Sequence, residues 1–162
     1  MRAIIGFPNP VNEKAARVVA GVVTAIAVLI LATGWLWLLV PLAYGFWARV
    51  LTGPRLSPLG WLAQKRVAPR LGPPKYVPGP PKRFAQGIGA AMTTAAAVLG
   101  LAAGATGVAF GIVAAMVVAA GLESIFAVCL GCRVFALLMR MGIVPERVCE
   151  ECADIWSRRA AA

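Results

Sequence analysis

The sequence contains no histidine, only six acidic residues against sixteen basic ones, and no cysteine outside two short pairs. Without histidine there is no Ser-His or Cys-His catalytic arrangement. A Walker loop, a Gly-x-Ser-x-Gly elbow and a dinucleotide fingerprint are also missing. Acidic residues are scarce and mostly terminal. Glu146, Glu150, Glu151 and Asp154 cluster near Arg147, Arg158 and Arg159 as an ordinary solvated tail, which leaves no natural carboxylate pair for acid–base work. Charged residues make up 14% of the chain, against about 25% in soluble domains. Hydrophobic residues make up 60%, and the mean hydropathy is +0.82. No water-soluble fold of 162 residues hides that much apolar surface, so the composition specifies an integral membrane protein with no separate soluble domain.

The net charge of +10 reads as a topology signal, because cytoplasmic loops of membrane proteins carry excess Lys and Arg. It also favours anionic lipid head groups. A nucleic-acid site would need a soluble basic face with aromatic platforms, which the chain lacks. Residues 1–17 carry Pro8, Pro10, Glu13 and Lys14 and do not resemble a cleavable signal. Abundant Ala, Gly, Val and Arg with little Lys fits a GC-rich bacterial genome.

The first apolar run, 18–47, has no charge and exceeds the roughly 20 residues that cross a bilayer as a helix. Gly34, followed by Trp35 and Trp37, marks an interfacial break. A helical hairpin is expected, with spans at 15–32 and 35–51. Residues 52–83 hold eight of the twelve prolines and seven basic residues, so a loop is expected there. Within it, residues 59–68 form a short helix that Ser57 caps and Pro58 starts. Further spans are expected at 84–104 and 106–128. Gly100-x-x-x-Gly104 and Gly107-x-x-x-Gly111 lie there as small-residue packing signals, within one chain or between copies in a homo-oligomer. The turns near Gly34 and Ala105 are uncharged, and every Lys and Arg falls on the other side. The positive-inside rule then places both termini and the Pro-rich loop in the cytoplasm. The expected fold is all-α. It is an integral membrane four-helix bundle of two transmembrane hairpins, forming one domain over 1–162.

The cysteines carry the chemistry. Cys129-Leu-Gly-Cys132 should lie at the inner end of the fourth span, whose helix is expected to continue to about 141. Cys149-Glu-Glu-Cys152 follows in a cytoplasmic tail, 142–162. On a continuous helix Cys129 and Cys132 share a face, with Arg133 beside them to favour a thiolate. Two C-x2-C pairs sixteen residues apart also suit a four-cysteine zinc site made of Cys129, Cys132, Cys149 and Cys152. A cytoplasmic position argues against a structural disulfide. Thiol–disulfide exchange, sulfur carriage as a persulfide, and zinc binding therefore all stay open, and the two pairs are expected to meet in space. Glu123 is the lone charge deep in a span. It is a functional candidate that could pair with an arginine or move a proton, although six residues before Cys129 it faces another side of an ideal helix.

Four segments of this sequence carry a resemblance. They are Asn9-Pro-Val-Asn-Glu-x-x-x-Arg17, Pro80-Pro-Lys-Arg-Phe-Ala-Gln-Gly-Ile-Gly89, Cys129-Leu-Gly-Cys132 after Gly121-Leu-Glu123, and Cys149-x-x-Cys152. Over almost the whole chain they resemble the bacterial membrane family called domain of unknown function 4395. The resemblance implies a small multi-span inner-membrane protein that keeps company with thioredoxin-like proteins and sulfurtransferases. Three functions are carried forward: a cytoplasm-facing membrane dithiol protein, a non-enzymatic zinc-clipped bundle, and a small permease subunit for a sulfur compound in which Glu123 is coupled to transport.

Overall fold

The computed structural model describes residues 8–145 and Val148. Its fold is mostly helical. A short strand β1, Val11–Asn12, leads directly into helix α1, Glu13–Thr33. The Asn12 side chain accepts from the Lys14 amide and caps that helix. Gly34, with φ of 74°, ends α1 in the left-handed conformation that glycine adopts without penalty. One tight turn, Leu36–Leu38, then starts the returning helix α2, Leu39–Thr52. The hairpin expected at Gly34 is thus present.

The Pro-rich segment is less of a loop than its composition implies. Helix α3, Pro58–Leu62, begins where Ser57 accepts from the Gly60 amide, and it widens into a π turn, Ala63–Val67. Strand β2, Tyr76–Val77, pairs antiparallel with β1, so the N-terminal segment is stitched to the far end of the loop. Helix α4, Gly79–Ala97, then starts five residues earlier than the span expected at 84–104. Pro80 and Pro81 do not prevent this, because first-turn amides need no intrahelical partner. A π turn, Val98–Ala102, extends α4 to the turn at Gly104, and α5, Thr106–Phe126, returns.

The continuous helix expected to run to about 141 is not formed. Helix α5 stops at Phe126, Ala127 adopts φ of 57°, and a separate amphipathic helix α6 spans Leu130–Arg140. The break is built by partners rather than by proline. The Ala127 and Val128 amides both bond back to the Leu122 carbonyl, which closes the helix at a left-handed residue. Arg17 of α1 donates to the carbonyls of Ser124 at 3.0 and 3.1 Å and of Ile125 at 3.0 Å. A cation on these otherwise unpaired carbonyls stabilises a helix terminus.

Helix α1 packs on α5, α2 on α4, and α4 on both α5 and α6. Two apolar clusters fill the bundle. One centres on Val19, Val23, Phe46 and Met116, the other on Ile30, Leu39, Ala109 and Val113. Three helices are long and apolar enough to cross a membrane: Glu13–Thr33, Gly79–Ala102 and Thr106–Phe126. Leu36–Thr52 is apolar but shorter. Val22, Val28, Leu29, Val108 and Val118 are exposed on the outer surface, as suits contact with lipid rather than water.

A dithiol at a helix start

The break after α5 creates the site. Cys129 is the N-cap of α6. Its backbone is extended, φ −88° and ψ 104°, and its sulfur accepts from the Cys132 amide at 3.4 Å. Cysteine here does what serine or aspartate does at other helix starts. The two cysteines therefore do not share a helix face as expected. One caps the helix and the other lies in its first turn, with the two sulfurs 2.6 Å apart and both recorded as free. That separation is about half an ångström beyond the roughly 2.05 Å of a disulfide bond.

Packing against α4 holds α6 in this position. A Cβ on Gly131 would lie 2.6 Å from the Ala85 Cβ and 2.7 Å from its Cα, so only glycine permits this approach. Phe135, buried, meets Phe84 with ring centroids 5.6 Å apart. The middle glycine of Cys-x-Gly-Cys is thus a packing requirement that sets where the thiols sit.

Behind the thiols lies an ion pair. Lys82, in the first turn of α4, donates to Glu123 of α5 at 2.5 Å, and both side chains are largely buried. Two expectations change here. Glu123 pairs with a lysine rather than an arginine. It also acts on both thiols, because the chain turns between residues 126 and 130 instead of carrying Cys129 round an ideal helix. Arg133, expected beside the thiols as their cation, is exposed, although it borders the same cleft. The cation acting on the thiols is Lys82. Sequence reasoning passed over Lys82 as one more cytoplasmic charge. Its signal was the Pro-Pro-Lys start of α4, which puts Lys82 in the first helical turn.

The two thiols differ electrostatically. The bond donated by Cys132 holds the Cys129 thiol below its ordinary pKa, and the Lys82 ammonium adds to that effect. Cys132 is pushed up, first because its proton is held in the bond to Cys129 and then by burial. The partial positive charge at the α6 N-terminus favours a thiolate at Cys129 in the same sense. Cys129 is 8% exposed. It is reached through a cleft of about 450 Å³ bordered by Cys132, Lys82, Arg133 and Phe126. It also borders an apolar cleft of about 330 Å³ that runs past Glu123 between Phe46, Met92 and Met116.

Cys149 and Cys152 lie outside the described residues, and so does the expected meeting of the two pairs. Among the described residues no group of three or more His, Cys, Asp or Glu side chains is placed to hold a metal. The four-cysteine zinc set draws half its ligands from beyond them.

A family model described as "Domain of unknown function (DUF4395)" matches residues 11–140. The match covers most of the chain, and the chain belongs to this family. It includes Lys82, Glu123, Cys129 and Cys132 and ends before Cys149. No curated protein and no solved structure matches the chain.

Proposed function

We propose that this member of the DUF4395 family is a dithiol protein of the bacterial inner membrane that handles thiol redox equivalents or sulfur at the cytoplasmic face. The observation that carries this reading is the placement of Cys129 as the sulfur cap of α6, with Cys132 beside it and the Lys82–Glu123 pair behind. The Cys129 thiolate is the nucleophile. It attacks one sulfur of a disulfide on a thioredoxin-like partner, forms a mixed disulfide, and releases the partner's other sulfur as a thiolate that takes up a proton. Cys132 then loses its proton to solvent and attacks the Cys129 sulfur. The intramolecular disulfide forms and the partner's second thiolate leaves. The partner gains two electrons, which the cysteine pair loses; because Cys129 begins as the thiolate, the pair releases one proton and the partner's second proton comes from solvent. The same first attack on the outer sulfur of a sulfurtransferase persulfide would load Cys129 as a persulfide, breaking the donor's S–S bond and releasing its cysteine as a thiolate. The low exposure of Cys129 favours a small sulfur species or an extended partner loop that enters the cleft.

The membrane arrangement proposed with it has four spans and both termini cytoplasmic. Arg17 at the start of α1 holds the end of α5, and Lys82 at the start of α4 holds Glu123 near that same end. If α1, α4 and α5 cross the bilayer, the chain must return between residues 33 and 79. Leu36–Thr52 is the apolar helix that returns it.

The test is trapping. Cys132→Ser should accumulate mixed disulfides through Cys129 when the protein is expressed in its host, and Cys129→Ser should not. The adducts are identified after non-reducing separation. Persistent absence of any Cys129 adduct, protein or persulfide, would remove the exchange and sulfur-carrier readings together.

A further inference from the structure

We infer that Cys129 has a second substrate, a membrane-dissolved quinone, which reaches it from the lipid along the seam between α4 and α5. This inference rests on the dithiol reading above and adds an electron acceptor to it. Cys129 sits between two clefts. The one it shares with Cys132, Lys82 and Arg133 is the one assigned above to a partner. The other, of about 330 Å³, lies between α4 and α5 under the start of α6. Its walls change along its length. At the thiol end Glu123 and Gln86 border it beside Cys129, and towards the middle of the bundle Gly89, Met92, Ala115 and Ala119 do. Met92 and Ala115 also border a shallow open groove of about 620 Å³, which continues between Ala91, Ala95, Val108 and Gly111 with no polar side chain on its walls. These four residues are exposed on helices long and apolar enough to cross a membrane, so the groove faces lipid. From Val108 to Glu123 the α5 helix rises about 22 Å.

The seam thus has a polar, reactive end and a long apolar course. That pattern fits a molecule with a compact polar head and an apolar tail, in a cleft of the size that takes a small-molecule ligand. The dithiol fixes the chemistry of the head, because it delivers two electrons and needs a head that accepts two. Quinones are lipid-soluble acceptors of that kind, whereas a phospholipid has the tail but nothing for a thiol to reduce. The Cys129 thiolate adds to an electrophilic ring carbon, forming a C–S bond and displacing an electron pair onto a quinone oxygen. Cys132 loses its proton to solvent and attacks the Cys129 sulfur. The S–S bond forms, the C–S bond breaks with its electron pair left on the ring, and the two oxygens take up two protons from solvent to give the quinol. The pair loses two electrons and the quinone gains them. A reduced dithiol partner restores the pair by exchange in the reverse of the sense written above.

The experiment keeps the two readings apart. The full chain, reduced and freed of reductant, is mixed with decylubiquinone in an uncharged detergent, and quinol formation is followed by ultraviolet absorbance. One quinol should form per Cys129–Cys132 disulfide, and Cys129→Ser and Cys132→Ser should each stop it. Ala115→Trp, at an exposed position where cleft and groove join, should slow quinol formation about tenfold or more. It should leave the reaction of the pair with oxidised glutathione unchanged. Ala91→Trp, further along the exposed groove, should slow quinol formation less, which covers the case in which Ala115→Trp fails to fold. No quinol from the unaltered chain, or undiminished quinol formation in both seam variants, overturns the inference. Exchange with glutathione in the absence of quinone reduction removes the quinone alone, and failure of both reactions removes the dithiol reading with it.

Discussion

At Cys129 one side chain does two jobs, capping a helix and holding the more acidic thiol. The causes that lower its pKa are the bond from Cys132 and then the nearby Lys82 ammonium. A lowered pKa means the reactive thiolate is present at lower pH than for an ordinary cysteine, and removing the cation must move its titration upward. Alkylation of the reduced protein by iodoacetamide, followed against pH by mass spectrometry, should modify Cys129 first, with its midpoint below that of a free thiol. In Lys82→Met the midpoint should rise, whereas Lys82→Arg should largely preserve it. An unchanged midpoint in Lys82→Met would remove Lys82 from the site. Ala127 is the other residue set by this geometry. At φ of 57° its Cβ is strained, and Ala127→Gly should relieve about 1 kcal/mol. Chemical denaturation in mild detergent would show the gain. Neither role was legible in the sequence. Alanine carries no left-handed signature, and no proline lies between Val108 and Val144 to mark a break at 127. Lys82 looked like one charge of many because its partner, Glu123, lies 41 positions away.

Among the elements, the hairpin of α1 and α2 and the Ser57 cap of α3 were readable because each rests on local chemistry: a glycine at a turn, a hydroxyl before a proline. The start of α4 and the split between α5 and α6 were misread because they rest on long-range partners. Strand β1 fixes β2 just before Gly79, and Arg17 terminates α5 from over a hundred residues away. Helix α6 follows the same logic. It is short and would be marginal alone, so its register on α4 decides where the thiols point. Gly131 is the contact that sets this register. Gly131→Ala should force α6 away from Ala85 at an overpacking cost of about 1–3 kcal/mol. It should also separate Cys129 from Lys82, so that Cys129 alkylation moves to higher pH even if the bundle stays folded. Stability and alkylation profile measured on the same variant check both parts. A loss of stability with an unchanged profile would mean that α6 is not what positions the thiols.

Across the whole molecule, charge and length make one further statement. Arg17, Arg49, Lys82 and the α6 helix gather at one end of the bundle, linked by bonds to Ser124, Gln86 and Glu123. The opposite end holds the turns at Gly34 and Gly104 with Trp35 and Trp37 exposed. The proposed orientation, basic end toward the cytoplasm, rests on this asymmetry, and tryptophan at the other end suits the far interface. Leu36–Thr52 is the weak link in a four-span arrangement, since at 1.5 Å per residue it is about 25 Å long against a core of roughly 30 Å. A bilayer accommodates that shortfall by thinning locally or by interfacial anchoring of flanking side chains, at modest cost. Labelling decides the matter. In a background lacking the four native cysteines, Trp35→Cys and Ala105→Cys should react with an impermeant maleimide added outside intact cells, and Lys75→Cys should react only after the membrane is opened. Outside reaction at Lys75 with none at Trp35 would invert the protein, put the dithiol in an oxidising compartment, and turn Cys129 and Cys132 from an exchange pair into a disulfide that forms and stays closed.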